Sequence, residues 1–199
     1  NHMITAARAG RIVARVHSGD PSLYGAIREQ MAALAAARIS YSVVPGVSSV
    51  FGAAAVLQAE LTLPQISQTL ILCRAEDRTP LPEGQTLMDL ARHGATMAIY
   101  LSAGLVAKVV AQLIQGGYAP ATPVAVVYRA TWPDEQVIRG TLSGIVEAVQ
   151  GRGIQRQALI LVGEALRAVE SGEDLPTSLL YDASFDHGYR AASEGEGSY

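Results

Sequence analysis

Four short loops in this chain carry the residue types that hold a small ligand through backbone groups and hydroxyls. They are Ser18-Gly19-Asp20 after the apolar run at 12–16, Gly46-Val47-Ser48-Ser49 after 41–44, Ser102-Ala103-Gly104 after 96–101, and Arg129-Ala130-Thr131 after 123–128. In open α/β sheets, ligands sit at the carboxyl ends of strands, where loops and helix N-termini converge. Gly19 and Gly46 let backbone approach a ligand closely, and the amide and carbonyl groups left exposed there can read an amino-acid head or a ribose. Taken singly, Gly-Asp-Pro and Pro-Gly are ordinary turn sequences. The repeated placement after apolar runs is what points to a ligand.

Other chemistries lack their residues. No G-x-G-x-x-G follows a strand-like run and no G-x-x-x-x-G-K-[ST] occurs, so a phosphate cradle is not expected. Histidines 2, 17, 93 and 187 show no metal-ligand spacing, and no G-x-S-x-G marks a serine hydrolase, so no metal is expected. A net charge of −3 without a clustered Lys/Arg run argues against nucleic acid or an anionic membrane as partner. Cys73, the one cysteine, excludes an intrachain disulfide and suits a reducing cytosol; its strand-like neighbours predict a small core hydrophobe. No apolar run approaches the roughly 20 residues of a membrane helix.

The elements that must position these loops read as α/β. Apolar runs at 12–16 and 41–44 predict strands, with an amphipathic helix over 22–38 between them (Leu23, Ile27, Met31, Leu34) and an alanine-rich helix from Ser48 or Ser49 to about Leu57. That alternation predicts a parallel sheet. A second set follows: strands at 69–73, 96–101, 123–128, 136–141 and 158–162, with helices near 86–92, 105–114 and 142–150. We read an N-terminal α/β domain over 1–65, a hinge near Pro64, a second α/β domain over 66–165 and a tail over 166–199. Leu179, Leu180, Tyr181, Phe185 and Tyr189 predict that the middle of the tail docks, while its polar stretches at 170–177 and 193–198 set the rest apart and the last residues are expected to be disordered. Asn1-His2-Met3 resembles a cloning scar, and 4–10 reads as the end of a helix stopped by Gly10, so the chain is expected to start inside a longer protein.

The ordered set "HSGDPSLYG", "VVPGVSS", "AIYLSAG", "VAVVYRATWPDE" and "ALILVG" resembles the tetrapyrrole (corrin/porphyrin) methylase family over about residues 6–190. "ELTLPQISQT", "YRATWPDE" and "SLLYDASFDHGYR" are similar to the branch that methylates a ring carbon of a corrin precursor. The resemblance implies two small α/β domains with a cofactor cleft between them, S-adenosylmethionine as methyl donor, S-adenosylhomocysteine as product, a cytoplasmic location and a homodimer. It departs from the family in lacking the N-terminal strand with its Gly-x-Gly-Pro-Gly-Asp loop, so the N-terminal domain is expected to be truncated. Carried over by motif, Ser18, Gly19, Asp20 and Leu23 match the first cofactor loop, Ser48 and Ser49 the second, Leu101 the end of a central strand, and Ala130 the loop before Trp132. Asp20 has two roles open to it, favouring the ligand's positive groups or capping a helix from Ser22. Tetrapyrrole precursors are rich in carboxylates, so Arg74, Arg78 and Arg129, in loops beside strand ends, are candidate substrate forks, with Tyr24 and Trp132 as ring neighbours. No residue stands out as a catalytic base. The alternatives are another tetrapyrrole C-methyltransferase, or a non-catalytic fragment of such an enzyme.

Overall fold

The structure, a computed structural model, describes residues 1–167, 178–182, 184–186, 188 and 190. The chain divides into two compact units, Asn1–Gly52 and Ala53–Tyr199.

The second unit is built on one five-stranded sheet. Its strands are β1 (Leu70–Arg74), β2 (Thr96–Tyr100), β3 (Pro123–Tyr128), β4 (Gln136–Thr141) and β5 (Ala158–Val162). The order is β1-β2-β5-β3-β4; β1 and β2 are parallel, while β2–β5, β5–β3 and β3–β4 are antiparallel. The sheet is therefore mixed. The three inner strands, β2, β5 and β3, form where apolar runs are long enough to be buried on both faces, while the outer strands β1 and β4 are only partly buried. Met97, Ile99, Val124, Val126, Ile160 and Val162 belong to one core cluster, and the alternate residues Ala98, Ala125, Val127, Leu159 and Leu161 are also buried.

Three helices of this unit add side chains to that cluster. Leu87 and Ala91 come from Leu87–Ala91, Val106, Val109 and Leu113 from Val106–Gln115, and Ile145 and Val149 from Ile145–Gln150. The first is capped by Thr86, whose side chain accepts the Asp89 amide. The second follows the spacing of its apolar stripe and stops at Gly116-Gly117, where Gly117 takes φ +119°. Cys73 is buried in the same cluster, and burial pushes its thiol up to about 12.

The first unit differs from its expectation. It contains helices α1 (His2–Arg8) and α2 (Arg28–Ala36) and the start of α3 (Ser49–Leu57); continuing in chain order, the three helices above are α4, α5 and α6. The predicted strands at 12–16 and 41–44 are extended but join no ladder among the described residues, so the expected parallel sheet is absent from this unit. β-branched sequence supplies the extended conformation; a strand also needs a neighbour to pair with. The predicted helix from Ser22 begins only at Arg28, because residues 21–24 form a turn and Tyr24 and Ala26 take positive φ of 55° and 50°. Leu23, Ile27, Met31 and Leu34 are all half-buried, as the spacing predicted. They line a cavity of about 890 Å³ only in part: Ile27, Met31 and Leu34 do, together with the two extended segments.

The division between units falls inside α3, earlier than the hinge expected near residue 65. Arg139 of β4 donates to the Leu57 carbonyl and ties the end of α3 to the second unit. In the tail, Leu179, Leu180 and Phe185 are exposed where docking was expected; 168–177, Tyr189 and 191–199 lie outside the described residues.

The unpaired segments give a test. None of the amides at 12–18 or 40–44 has a hydrogen-bond acceptor among the described residues. Their hydrogen exchange is expected to need almost no opening free energy, whereas amides of β2 and β5 exchange only through global unfolding. Protection at 12–18 as strong as in β5 contradicts this description.

Candidate functional site

Strand direction gathers one group of candidate residues. β2 and β3 both run antiparallel to β5, and β1 runs parallel to β2, so β1, β2 and β3 all end at the same edge of the sheet. The start of β5 meets them there, since Tyr128 pairs with Ala158. That edge therefore carries Arg74, Leu101, Arg129, Ala130 and Gln157, the placement in which α/β sheets bind ligands.

The backbone at this edge is strained. Leu101, immediately after β2, takes φ +55°, and its side chain is 74% exposed. Arg129 and Thr131 take φ +47° and +69° around Ala130. Such conformations cost of order 1–3 kcal/mol for residues with a Cβ and cluster at functional sites. Ser102 holds the first turn: its buried hydroxyl donates to the Tyr100 carbonyl at 2.7 Å and accepts the Ala75 amide at 2.9 Å.

The three candidate arginines separate by what they already hold. Arg74 donates to the carbonyls of Ala75, Thr79 and Pro80 and so shapes its own loop. Arg129 donates through Nε and Nη2 to Gln157 Oε1, at 3.0 and 2.8 Å, and through Nη1 to Asp134. Arg78 is exposed and makes no hydrogen bond or ion pair among the described residues. It is the one of the three with its fork free. Trp132 is half exposed, and the Arg129 guanidinium lies 5.2 Å from its ring centre.

The first unit assembles its own group. Asp20 Oδ1 accepts the Ser22 amide at 2.8 Å and the Ser22 hydroxyl, and Oδ2 accepts the Gly46 amide at 2.9 Å. The carboxylate is thus a staple between the loops at 18–20 and 46–49; with the helix starting at Arg28, the capping role is excluded. Gly19 and Gly46 pack backbone to backbone: a Cβ on Gly46 would lie 2.6 Å from the Gly19 carbonyl oxygen. Ser18 is exposed, Leu23 is half-buried, and Ser48 directly precedes α3, its carbonyl accepting the Phe51 amide at 3.0 Å. Ser49 is the first residue of α3, and Tyr24 is exposed.

The Ser22 hydroxyl, the Gly46 amide and the Ser22 amide hold the Asp20 carboxyl below its usual 3.8. A depressed carboxyl contributes stability that is complete above 3.8 and is lost as pH falls through the lower folded value. Exchange of the Gly46 amide is therefore expected to stay protected on acidification to 3.8 and to accelerate only below it. Loss of protection already near neutral pH contradicts the staple.

Sequence reasoning missed Gln157 and Asp134, and it placed Ser102 in a candidate loop without foreseeing that its hydroxyl holds the turn. Gln157 precedes β5 and carries φ +58°, a backbone signal that no residue type announces.

The chain carries a mixed α/β sheet with positive-φ loops at the carboxyl ends of its strands, and comparison with known proteins gives its family. The sequence profile of the tetrapyrrole (corrin/porphyrin) methylases matches residues 1–146, and the chain belongs to that family. It is 51% identical over 188 residues to the cobalt-precorrin-4 C(11)-methyltransferase of Methanocaldococcus jannaschii, covering 94% of this chain and 71% of the relative. It is 52% identical over 185 residues to the precorrin-4 C(11)-methyltransferase of Pseudomonas aeruginosa, covering 93% and 72%. Among solved structures, the X-ray structure of a cobalt precorrin-4 methyltransferase superposes with a TM-score of 0.82 at 50% identity, over 84% of this chain and 70% of that one.

Proposed function

We propose that this chain is an S-adenosylmethionine-dependent C-methyltransferase that transfers a methyl group to C11 of precorrin-4 or its cobalt form. The observation that carries the reading is identity of about half, over more than nine-tenths of the chain, to relatives whose names specify that carbon. The local chemistry fits the donor. S-adenosylmethionine brings a cationic sulfonium and an amino-acid head without phosphate, and the residues at hand are backbone groups, hydroxyls and an ionised carboxylate. Those that the family resemblance carries over as its holders are Ser18, Gly19, Asp20, Leu23, Ser48, Ser49, Leu101 and Ala130.

When bound, the donor supplies an electrophilic methyl group on a sulfonium that leaves without acid assistance. The chain's own task is then orientation and exclusion of water, and fixed geometry of this kind supplies on the order of 7–11 kcal/mol. The strained turns at Leu101 and Arg129–Thr131 supply that rigidity on the protein side. Arg78, exposed and without a hydrogen bond or ion pair among the described residues, is the arginine left available for a substrate carboxylate. Tyr24 and Trp132 offer aromatic faces to the macrocycle. A homodimer and a cytosolic location belong to the same proposal; sedimentation at micromolar concentration checks the first.

The test is to incubate the chain with S-adenosylmethionine and precorrin-4 or cobalt-precorrin-4 and follow the product by mass and NMR. Gain of one methyl group at C11, with release of S-adenosylhomocysteine, is expected. Binding of the donor without turnover favours a second reading, a cofactor-binding chain that is not catalytic. The segments at 12–18 and 40–44 support that second reading, because their amides join no ladder among the described residues and the Asp20 staple ties only the loops that follow them.

A further inference from the structure

Between β3 and β4 the chain makes a seven-residue loop, 129–135, in which four amides are hydrogen-bonded. The Arg129 amide donates to the Gln157 carbonyl at 2.9 Å, the Trp132 amide to the Arg129 carbonyl at 3.0 Å and the Glu135 amide to the Trp132 carbonyl at 3.1 Å. The Thr131 amide donates to Glu135 Oε2 at 2.5 Å. The half-buried Ala130 has neither its N–H nor its C=O partnered among the described residues, whereas the unpaired peptide groups at Thr131, Pro133 and Asp134 belong to exposed residues. Ala130 lies between the two positive-φ residues of the loop, so its peptide groups are turned away from the ladder that would otherwise bind them.

What fixes this arrangement is the Arg129 side chain. Its guanidinium grips Gln157 Oε1 through two nitrogens and Asp134 through the third, with the Tyr128 and Trp132 rings centred 5.1 and 5.2 Å from its Cζ. The grip joins the loop to the entry of β5, an element 28 residues away in sequence. Only a planar fork with several donors meets both partners and lies against aromatic rings; an ammonium on a flexible stem does not.

We infer that Arg129 is a positioning residue, which with Gln157 and Asp134 holds the unpaired Ala130 peptide groups in the orientation that receives the methyl donor. The assignment rests on the functional reading above and replaces the expectation that Arg129 grasps a substrate carboxylate. Its guanidinium is already committed, so substrate affinity does not depend on it directly.

The experiment compares wild type with Arg129→Lys, Gln157→Leu and Gln157→Glu by calorimetric titration with S-adenosylmethionine, thermal melting and fluorescence of Trp132, the only tryptophan in the chain. Arg129→Lys and Gln157→Leu are each expected to weaken donor binding about tenfold, the effect of losing a charge-assisted hydrogen-bond pair. Both should change Trp132 emission by freeing the indole from its cation. Gln157→Glu retains the acceptor and is expected to bind the donor as wild type does. In turnover, the KM for the donor rises in the two disrupting variants while the KM for the tetrapyrrole is unchanged. Donor affinity unchanged in Arg129→Lys, or a rise confined to the tetrapyrrole KM, overturns the assignment alone. Wild type that binds no donor overturns the functional reading, and this assignment with it. A variant that melts well below wild type is replaced by Asp134→Ala, which removes the acceptor of Arg129 Nη1; the same shift in donor affinity is expected and an unchanged affinity counts against the grip.

Discussion

Replacing Gly46 with alanine weakens donor binding by roughly tenfold or more, at about 1.4 kcal/mol per factor of ten, and leaves the melting of the second unit unchanged. The new Cβ would lie 2.6 Å from the Gly19 carbonyl oxygen and 3.3 Å from Asp20 Cα. Both are backbone atoms, and neither swings aside as the end of a side chain would. The loops at 18–20 and 46–49 must therefore part, and Asp20 loses the Gly46 amide that completes its staple. At Gly19 a Cβ would meet the Val47 carbonyl oxygen at 3.6 Å, an ordinary contact. A loss of affinity in Gly19→Ala thus reports the approach of the ligand, and a loss in Gly46→Ala the geometry of the loops. Calorimetry on both variants decides the matter: Gly46→Ala with wild-type affinity would remove the staple from any account of binding.

The largest stability effect is expected at Leu113. This side chain of α5 is completely buried in the core cluster, where it packs among residues of α4, α6 and the sheet. Truncation to alanine removes the transfer free energy of the lost atoms and leaves a cavity, together about 2–5 kcal/mol. At roughly 2–4 °C per kcal/mol for a chain of this length, the melting temperature falls by roughly 5–20 °C. Leu180, 57% exposed, is the control, and its truncation is expected to stay within about 0.5 kcal/mol. Equal melting temperatures for the two variants would contradict the placement of α5 against the sheet.

The strands at 123–128, 136–141 and 158–162 coincide with their sequence-based bounds; the first and last are apolar runs, and 136–141 is set off by the loop before it and the turn after it. Their pairing was not legible. That β5 inserts between β2 and β3 is a choice among distant partners, and no local pattern records it. The segments at 12–16 and 41–44 show the converse: strand-like composition produces extended backbone, but a ladder requires a second strand in reach. At the candidate site, Leu101 was reached only through family resemblance, while the loop that holds Ala130 was legible from its placement after an apolar run. Positive φ at Leu101, Arg129 and Thr131 has no compositional signature, since these residue types rarely adopt it. The roles of Arg74 and Arg129 were hidden for a different reason. A loop arginine reads the same whether its fork is free or closed on its own chain, and only the positions of Thr79, Pro80, Gln157 and Asp134 distinguish the two.

The position of β5 bears on how the molecule is made. Among the described residues it is the last strand in sequence and the middle strand of the sheet. As synthesis proceeds, the β1–β2 pair and the β3–β4 hairpin can each form early, but they share no ladder until residues 158–162 leave the ribosome. Two-stranded ladders are marginal alone, and until then two apolar edges stay open to pair with any other strand. A chain stalled before residue 158 is therefore not a shorter version of this fold but a pair of unjoined halves. The decision between folding and aggregation falls on the final strand.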